Sequence, residues 1–301
     1  MPEAFVKTGP ECNQKCLFCY TTEDEKVTTL QAKAAIDKYI GKGYSWISFT
    51  GGEPTIRGDL FELIHYAKKK GAKIIKVQTN GILTANKIFL DKLVSAGMNR
   101  AYMSVLSHKK EVHEKLTQTP NSFEKAILSV KNIMALKIPL EMSCVITTLN
   151  YSHLKEYVAF MHSNFPGIES YQFLLFCPLA RGHENKKFVP KLKYIEQPLK
   201  DMLEFCRQNN IFAVTRGIPL CYLDSFENMS VETNAILSTN KKMIISDFKD
   251  DVSRHSFEDS NSKAPQCKFC WLNKICGGTW TKYLGLYGTH ELFPVYKKAI
   301  L

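Results

Sequence analysis

Between residue 1 and about residue 180, short β-rich runs alternate with amphipathic helical stretches, and no long low-complexity segment interrupts them. This pattern predicts a parallel sheet wrapped by helices, because each crossover between parallel strands uses a helix to return the chain to the same end of the sheet. Strands are predicted near Phe5–Thr8, Trp46–Thr50, Ile74–Thr79, Arg100–Val105, Glu141–Thr147 and Tyr171–Phe176. Helices are predicted near Thr29–Lys42, Leu60–Lys70, Lys87–Ala96, Ser122–Leu136 and Ser152–Phe165. Gly41-Lys-Gly43, Gly71 and Gly97 each follow a periodic segment, where a left-handed C-terminal cap is expected. After Phe188 the pattern changes to one helix near Lys193–Asn210, a strand-like Ile211–Thr215 and a polar stretch from Ser225 to Ala264. The expected division is therefore an α/β domain over 1–190 and a smaller domain over 191–301.

Ligands of such sheets gather outside the carboxyl ends of the strands. The distinctive motifs fall there. A cysteine cluster follows the first predicted strand, Gly51-Gly52-Glu53-Pro54 the second, and Asn80-Gly81 the third. Of ten cysteines, six lie in two tight groups, at 12, 16 and 19 and at 267, 270 and 276. In a reducing compartment such grouping indicates metal rather than disulfides.

Composition narrows the setting. A 45% hydrophobic content supplies a sizeable core. No run of about 18 uncharged apolar residues occurs, and no basic segment is followed by an apolar run and a cleavage site, so a soluble cytoplasmic protein without a membrane partner is expected. The 40 basic residues exceed the 29 acidic ones to give +11, but the lysines are scattered (Lys68, Lys69, Lys70; Lys186, Lys187; Lys297, Lys298). Solvated helix faces are favoured over a nucleic-acid surface, although the charge would help attract an anionic partner.

Three cysteines spaced C-x3-C-x2-C on a loop suit a cubane cluster in which three thiolates leave one iron open. The alternatives are a zinc site without its fourth ligand and three unrelated buried cysteines. The surrounding residues bear on the choice: Cys12-Asn-Gln-Lys-Cys16-Leu-Phe-Cys19-Tyr20, then Phe-Thr-Gly51-Gly52-Glu53-Pro54-Thr-Ile-Arg57-Gly-Asp59, then Gln78-Thr79-Asn80-Gly81. Further on come Met103-Ser104-Val-Leu-Ser107-His108 and Cys144-Val-Ile-Thr-Thr-Leu-Asn150. In this order and spacing, the text resembles the radical S-adenosylmethionine superfamily over about residues 4–180.

That resemblance implies a partial (β/α)6 barrel with a [4Fe-4S] cluster on Cys12, Cys16 and Cys19. The amine and carboxylate of S-adenosylmethionine would chelate the fourth iron. One electron would split the sulfonium and release a 5′-deoxyadenosyl radical that takes hydrogen from a substrate. Gly51 and Gly52 would let the backbone approach the methionyl amine and Glu53 would accept from it, with a tight strand-to-helix turn as the plain alternative. Tyr20 would present its backbone to the adenine, with a packed core tyrosine as the plain alternative, and Ser104 would bond the ribose or methionyl part or else only line the barrel interior. Asn80 stands with them or forms only a turn. Arg181, after the sixth strand, would fork the methionyl carboxylate or else stand as a surface arginine. Arg57 would contact substrate or else pair with Asp59.

Cys267-x2-Cys270-x5-Cys276-Gly resembles the C-terminal auxiliary-cluster modules of the same superfamily, SPASM and its shorter form twitch. Position 280 is Trp where the longer pattern has another Cys. Cys221 is the expected fourth ligand of a second [4Fe-4S] cluster, with Cys177 as a rival, an open fourth site as another possibility and zinc as the alternative metal. Cys144 and Cys206 are expected in the core.

The expected activity is radical modification of a peptide or protein, as in ribosomal peptide maturation, reduced by a protein such as flavodoxin or ferredoxin. A small molecule or nucleotide is the alternative substrate; the short lead before Cys12 favours it, or a separate recognition protein. A metal-stapled nucleic-acid-binding protein is the alternative of another class, and it leaves Gly51-Gly52-Glu53-Pro54 unexplained.

Overall fold

The alternation folds as the pattern predicts, into one parallel sheet curled as a partial barrel with helices on its outer face. In this computed structural model, residues 3–21, 26–238, 244–245 and 261–299 are described, so the polar stretch from Ser225 to Ala264 lies partly outside them. The strands are β1 (Glu3–Lys7), β2 (Trp46–Thr50), β3 (Ile74–Thr79), β4 (Arg100–Ser104), β5 (Leu140–Ile146), β6 (Ser170–Leu175) and β7 (Ala213–Arg216). Each pairs in parallel with the next. A two-residue β8 (Ile244–Ile245) pairs in parallel with β1 at the other edge, giving the order β7-β6-β5-β4-β3-β2-β1-β8. The sheet thus continues past residue 190, and the strand-like Ile211–Thr215 enters it as a seventh strand beside β6.

The helices α1 (Thr29–Gly41), α2 (Leu60–Lys69), α3 (Lys87–Ala96), α4 (Lys110–Thr117), α5 (Ser122–Ala135), α6 (Leu154–Asn164), α7 (Arg181–Glu184), α8 (Leu192–Gln208) and α9 (Val231–Leu237) follow in chain order. Local signals start and stop them. Thr28 and Gln31 form a capping box on α1, and Asn86 caps α3 by accepting from the Phe89 amide at 3.2 Å. Gly97 ends α3 at φ +129°, a conformation that a side chain would strain.

Side chains alternate between the two faces of the strands. Val6, Phe49, Val77, Met103, Ile146 and Phe173 are wholly buried against the helices. The inner face is polar, which parallel strands normally avoid. At its amino end Lys76, only 3% exposed, lies 2.7 Å from Glu3 and 3.2 Å from Glu141, with its ammonium 5.0 Å from the Trp46 ring centre. Arg100 pairs with Glu141 and Glu169. This network closes the bottom of the barrel. Higher up, Tyr102 donates to Gln172 at 2.6 Å and Thr50 to Gln78 at 2.8 Å.

The C-terminal segment carries a small antiparallel pair, β9 (Asn261–Ser262) with β10 (Thr279–Trp280), followed by α10 (Thr281–Tyr287). It docks on the barrel through polar tips on aromatic bodies. The Trp280 indole donates to the Leu175 carbonyl at 2.8 Å, Tyr287 to the Val189 carbonyl at 2.7 Å, and the Leu192 amide donates to the Tyr283 hydroxyl at 2.8 Å. Among the described residues, no helix is long and apolar enough to cross a membrane.

Candidate active site

The loop after β1 carries Cys12, Cys16 and Cys19 and is held by protein on three sides. The Gly52 amide donates to the Gly9 carbonyl at 2.8 Å and the Glu53 amide to the Glu11 carbonyl at 2.8 Å. From the other side the Lys15 and Leu17 amides cap the last carbonyls of α4, at 3.2 Å to Thr117 and 2.9 Å to Leu116. The Gly182 amide closes the circle on the Cys19 carbonyl at 3.1 Å. The two glycines of the β2 turn therefore serve the cysteine loop directly. A Cβ on Gly52 would sit 2.1 Å from the Glu11 carbonyl oxygen, and one on Gly51 would sit 2.5 Å from that of Gly9.

Glu53 is 3% exposed, and protein donors surround its carboxylate. Oε1 accepts from the Thr55 amide and hydroxyl at 3.2 and 2.5 Å and from the Thr79 hydroxyl at 2.7 Å, while Oε2 accepts from the Asn80 amide at 2.7 Å. Burial still pushes its pKa up against these hydrogen bonds. The Asn80 side chain faces the cysteines: Nδ2 donates to Asn13 at 2.6 Å and approaches the Cys12 sulfur at 4.0 Å, and Oδ1 accepts from the Ile82 amide at 3.1 Å. Asn80 thus makes the expected turn and also ties it to the loop.

Arg57 takes the second of its two expected roles. Its guanidinium pairs with both oxygens of Asp59, at 2.5 and 2.9 Å, and its Nη1 donates to the carbonyls of Thr8 and Val27 at 2.9 and 2.5 Å. A fork engaged on one side by Asp59, at the start of α2, and on the other by the carbonyls of Thr8 and Val27 clamps the β1–α1 connection to α2, and this geometry disfavours substrate contact by Arg57. Arg181 opens α7 beside the loop, near enough to favour the charged forms of Cys12 and Cys16. Tyr20 is 66% exposed at the loop's end, and Ser104 stands half-buried on the inner face at the carboxyl end of β4.

Two groups escaped sequence reasoning. Arg216, at the carboxyl end of β7, lies 5.8 Å over the Trp280 ring and bears electrostatically on Tyr20, Tyr102 and Cys177. Lys282 joins it near Cys177, whose thiol burial pushes up to about 11. The signal for Arg216 was present in principle, since the ends of the other strands were already read as site positions, whereas Lys282 lies on α10 and carried none. The second group is Gln14, 6% exposed between the first two cysteines, for which the sequence held no signal.

The C-terminal cysteines form a separate site. Cys221, Cys267, Cys270 and Cys276 all line one cavity with Pro219, Leu272 and Phe293. Main-chain amides point at the sulfurs: Val295 at Cys270 (3.2 Å), Gly278 at Cys276 (3.3 Å) and Phe293 at Cys221. Burial pushes the Cys221 thiol up to about 12. Cys177 does not line the cavity, and Cys144 and Cys206 are core residues at 1% and 0% exposure.

The loop after β1 offers three thiols and the C-terminal cavity four, a donor type that iron and zinc both accept. Among the described residues, no three His, Cys, Asp or Glu side chains gather closely enough to hold one metal ion. At Cys16, burial and the neighbouring Cys12 and Cys19 all raise the thiol pKa, a penalty that bound iron would offset.

A parallel α/β half-barrel with a cysteine loop at the carboxyl ends of its strands defines a class of metallocentre protein. The Radical SAM superfamily matches residues 6–161, and the chain belongs to that superfamily of enzymes. The probable GTP 3′,8-cyclase of Sulfurisphaera tokodaii is 27% identical over 195 residues, 63% of this chain and 61% of that protein. The AdoMet-dependent heme synthase of Methanosarcina barkeri is 26% identical over 184 residues, 60% of this chain and 52% of that protein. The chain thus spans 52–61% of the length of these relatives. In fold, Streptococcus suis SuiB bound to S-adenosylmethionine has a TM-score of 0.66 at 17% identity, covering 98% of this chain and 77% of that one. anSMEcpe with bound AdoMet and Kp18Cys peptide has a TM-score of 0.68 at 17% identity, covering 93% and 90%.

Proposed function

We propose that this chain cleaves S-adenosylmethionine reductively at a [4Fe-4S] cluster held by Cys12, Cys16 and Cys19, and modifies a peptide or protein by hydrogen abstraction. The observation that carries the reading is the convergence of the cysteine loop, the Gly51-Gly52-Glu53 turn, Asn80 and Arg181 at one end of the sheet. When bound, the cluster supplies one electron to the sulfonium, so that a carbon–sulfur bond breaks into methionine and a 5′-deoxyadenosyl radical. The chain's own residues bind and orient. Arg181 offers a fork to the methionyl carboxylate, Ser104 and the Tyr20 backbone face the nucleoside, and the polar lumen with Arg216 receives the substrate. Glu53 fixes the turn that places the loop. Electrons come from a small acidic reductant such as flavodoxin or ferredoxin, which the net charge of +11 would attract.

Cys221, Cys267, Cys270 and Cys276 hold a second [4Fe-4S] cluster in this reading, in a twitch-type domain formed by the residues after the barrel. The shared cavity and the amides aimed at its sulfurs support it. Peptide is preferred as substrate because the fold of SuiB bound to its precursor peptide and that of anSMEcpe with a bound peptide extend over 98% and 93% of this chain, its C-terminal segment included. The second reading, a small molecule or nucleotide, draws on the names of those relatives.

Reconstituted anaerobically with iron, sulfide, dithionite and S-adenosylmethionine, the chain is expected to form 5′-deoxyadenosine, and Cys16→Ala to abolish it. Product formed by that variant would overturn the assignment. About eight irons per chain are expected, falling to about four in a Cys267→Ala/Cys270→Ala variant. About four irons with one zinc in the wild type would sink the second cluster.

A further inference from the structure

Gln14 is enclosed at the centre of the cysteine loop. Its amide donates to the Cys12 sulfur at 3.4 Å, and its side-chain Oε1 accepts from the Cys16 thiol at 3.3 Å. Its Nε2 is buried and has no hydrogen-bond partner. A buried amide left unpaired costs about 1–3 kcal/mol, so the position wants an acceptor.

Coordination supplies one. As an iron ligand, the Cys16 sulfur carries no proton and turns from donor into a charged acceptor. Oε1 then faces a negative sulfur and loses its bond. The two ends of a carboxamide have almost the same shape, so a half-turn exchanges them and presents the NH2 group to the sulfur. Of the neighbouring donors, the Lys15 and Leu17 amides are engaged on α4 and Asn80 Nδ2 on Asn13, which leaves the Cys16 main-chain amide and the Gln14 carboxamide to serve the Cys16 sulfur.

We infer that the Gln14 carboxamide is a hydrogen-bond donor to the Cys16 sulfur of the bound cluster and holds its reduction potential up. A hydrogen bond to sulfur favours the reduced, more negative cluster, and the potential of such centres follows the bonds to their sulfurs. Gln14 is thus a positioning and tuning residue, and the inference rests on the reading that Cys12, Cys16 and Cys19 carry the cluster.

The test is an EPR-monitored redox titration of the reconstituted full chain, following the signal that S-adenosylmethionine perturbs, since only a cluster with an open iron responds. Gln14→Leu removes the donor and Gln14→Glu replaces it with an acceptor. The midpoint is expected to move to more negative potential in Gln14→Leu and further in Gln14→Glu, with iron and sulfide per chain unchanged. Equal midpoints in the wild type and Gln14→Leu overturn the inference but leave the cluster reading intact; a wild type with no S-adenosylmethionine-sensitive signal overturns the reading itself. Where the variants fail to load, the wild type labelled with 15N in glutamine side chains decides. Pulsed EPR of the reduced cluster is expected to show a 15N coupling of hydrogen-bond strength, and its absence overturns the inference.

Discussion

The Glu53 carboxylate binds four donors on Thr55, Thr79 and Asn80, which makes it a buttress between the second and third strand ends. Glu53→Gln replaces one accepting oxygen by an NH2 group facing donors, and is expected to cost about 1–3 kcal/mol in urea unfolding and to weaken cluster retention. His113 titrates with the fold. It is 1% exposed, its Nδ1 accepts from the Leu106 amide at 3.2 Å, and burial lowers its pKa from 6.5 to about 4. Below pH 6.5 the unfolded chain takes up a proton that the folded chain refuses. Stability should therefore fall as pH drops from 6.5 toward 4, by on the order of 3 kcal/mol, with no contribution above 6.5. Urea midpoints between pH 7 and 4.5 check this, and His113→Asn should flatten the slope. At this scale the sequence was legible where chemistry is scarce: a cysteine triplet has few meanings, whereas a buried glutamine looks like any other until its neighbours are seen.

Six strands were legible because each pairs a β-rich run with a periodic helix, and the structure places them within a residue or two. The helix α4 was not. Its eight residues KEVHEKLT carry Val112 and Leu116 as their only aliphatic side chains, too few to set a period, and its stability comes from packing and from the loop amides that cap it. The Gly51-Gly52 turn was legible as a site but its role was only partly so, since nothing in the sequence shows that the main chain lying against it is the loop it supports. Gly52→Ala makes that role testable. With a Cβ 2.1 Å from a main-chain oxygen, the neighbour has no soft side chain to yield, and the variant should lose about 1–3 kcal/mol or more. Iron content of the reconstituted variant should drop while its far-ultraviolet circular dichroism stays unchanged; normal loading would refute the contact.

In the whole molecule, the C-terminal segment is latched to the barrel by aromatic side chains with polar tips, and this docking was not legible because its partners are main-chain carbonyls more than 90 residues away. Trp280→Ala empties a 6%-exposed site under Arg216 and should cost about 3–5 kcal/mol, whereas Tyr287→Phe should cost about 1 kcal/mol. Amide hydrogen exchange in α10 would report both, and unchanged protection in Trp280→Ala would show that the latch lies elsewhere. The four cysteines of the second site line one cavity although Cys221 stands 46 positions before Cys267. The cysteine loop after β1 carries one further implication. Its bonds to Gly52, Glu53, α4 and Gly182 are all main-chain bonds that iron does not take part in. A chain stripped of metal by oxygen is therefore expected to keep these bonds, and iron and sulfide added back to the same molecule should refill it; iron content after one cycle of loss and reloading checks this.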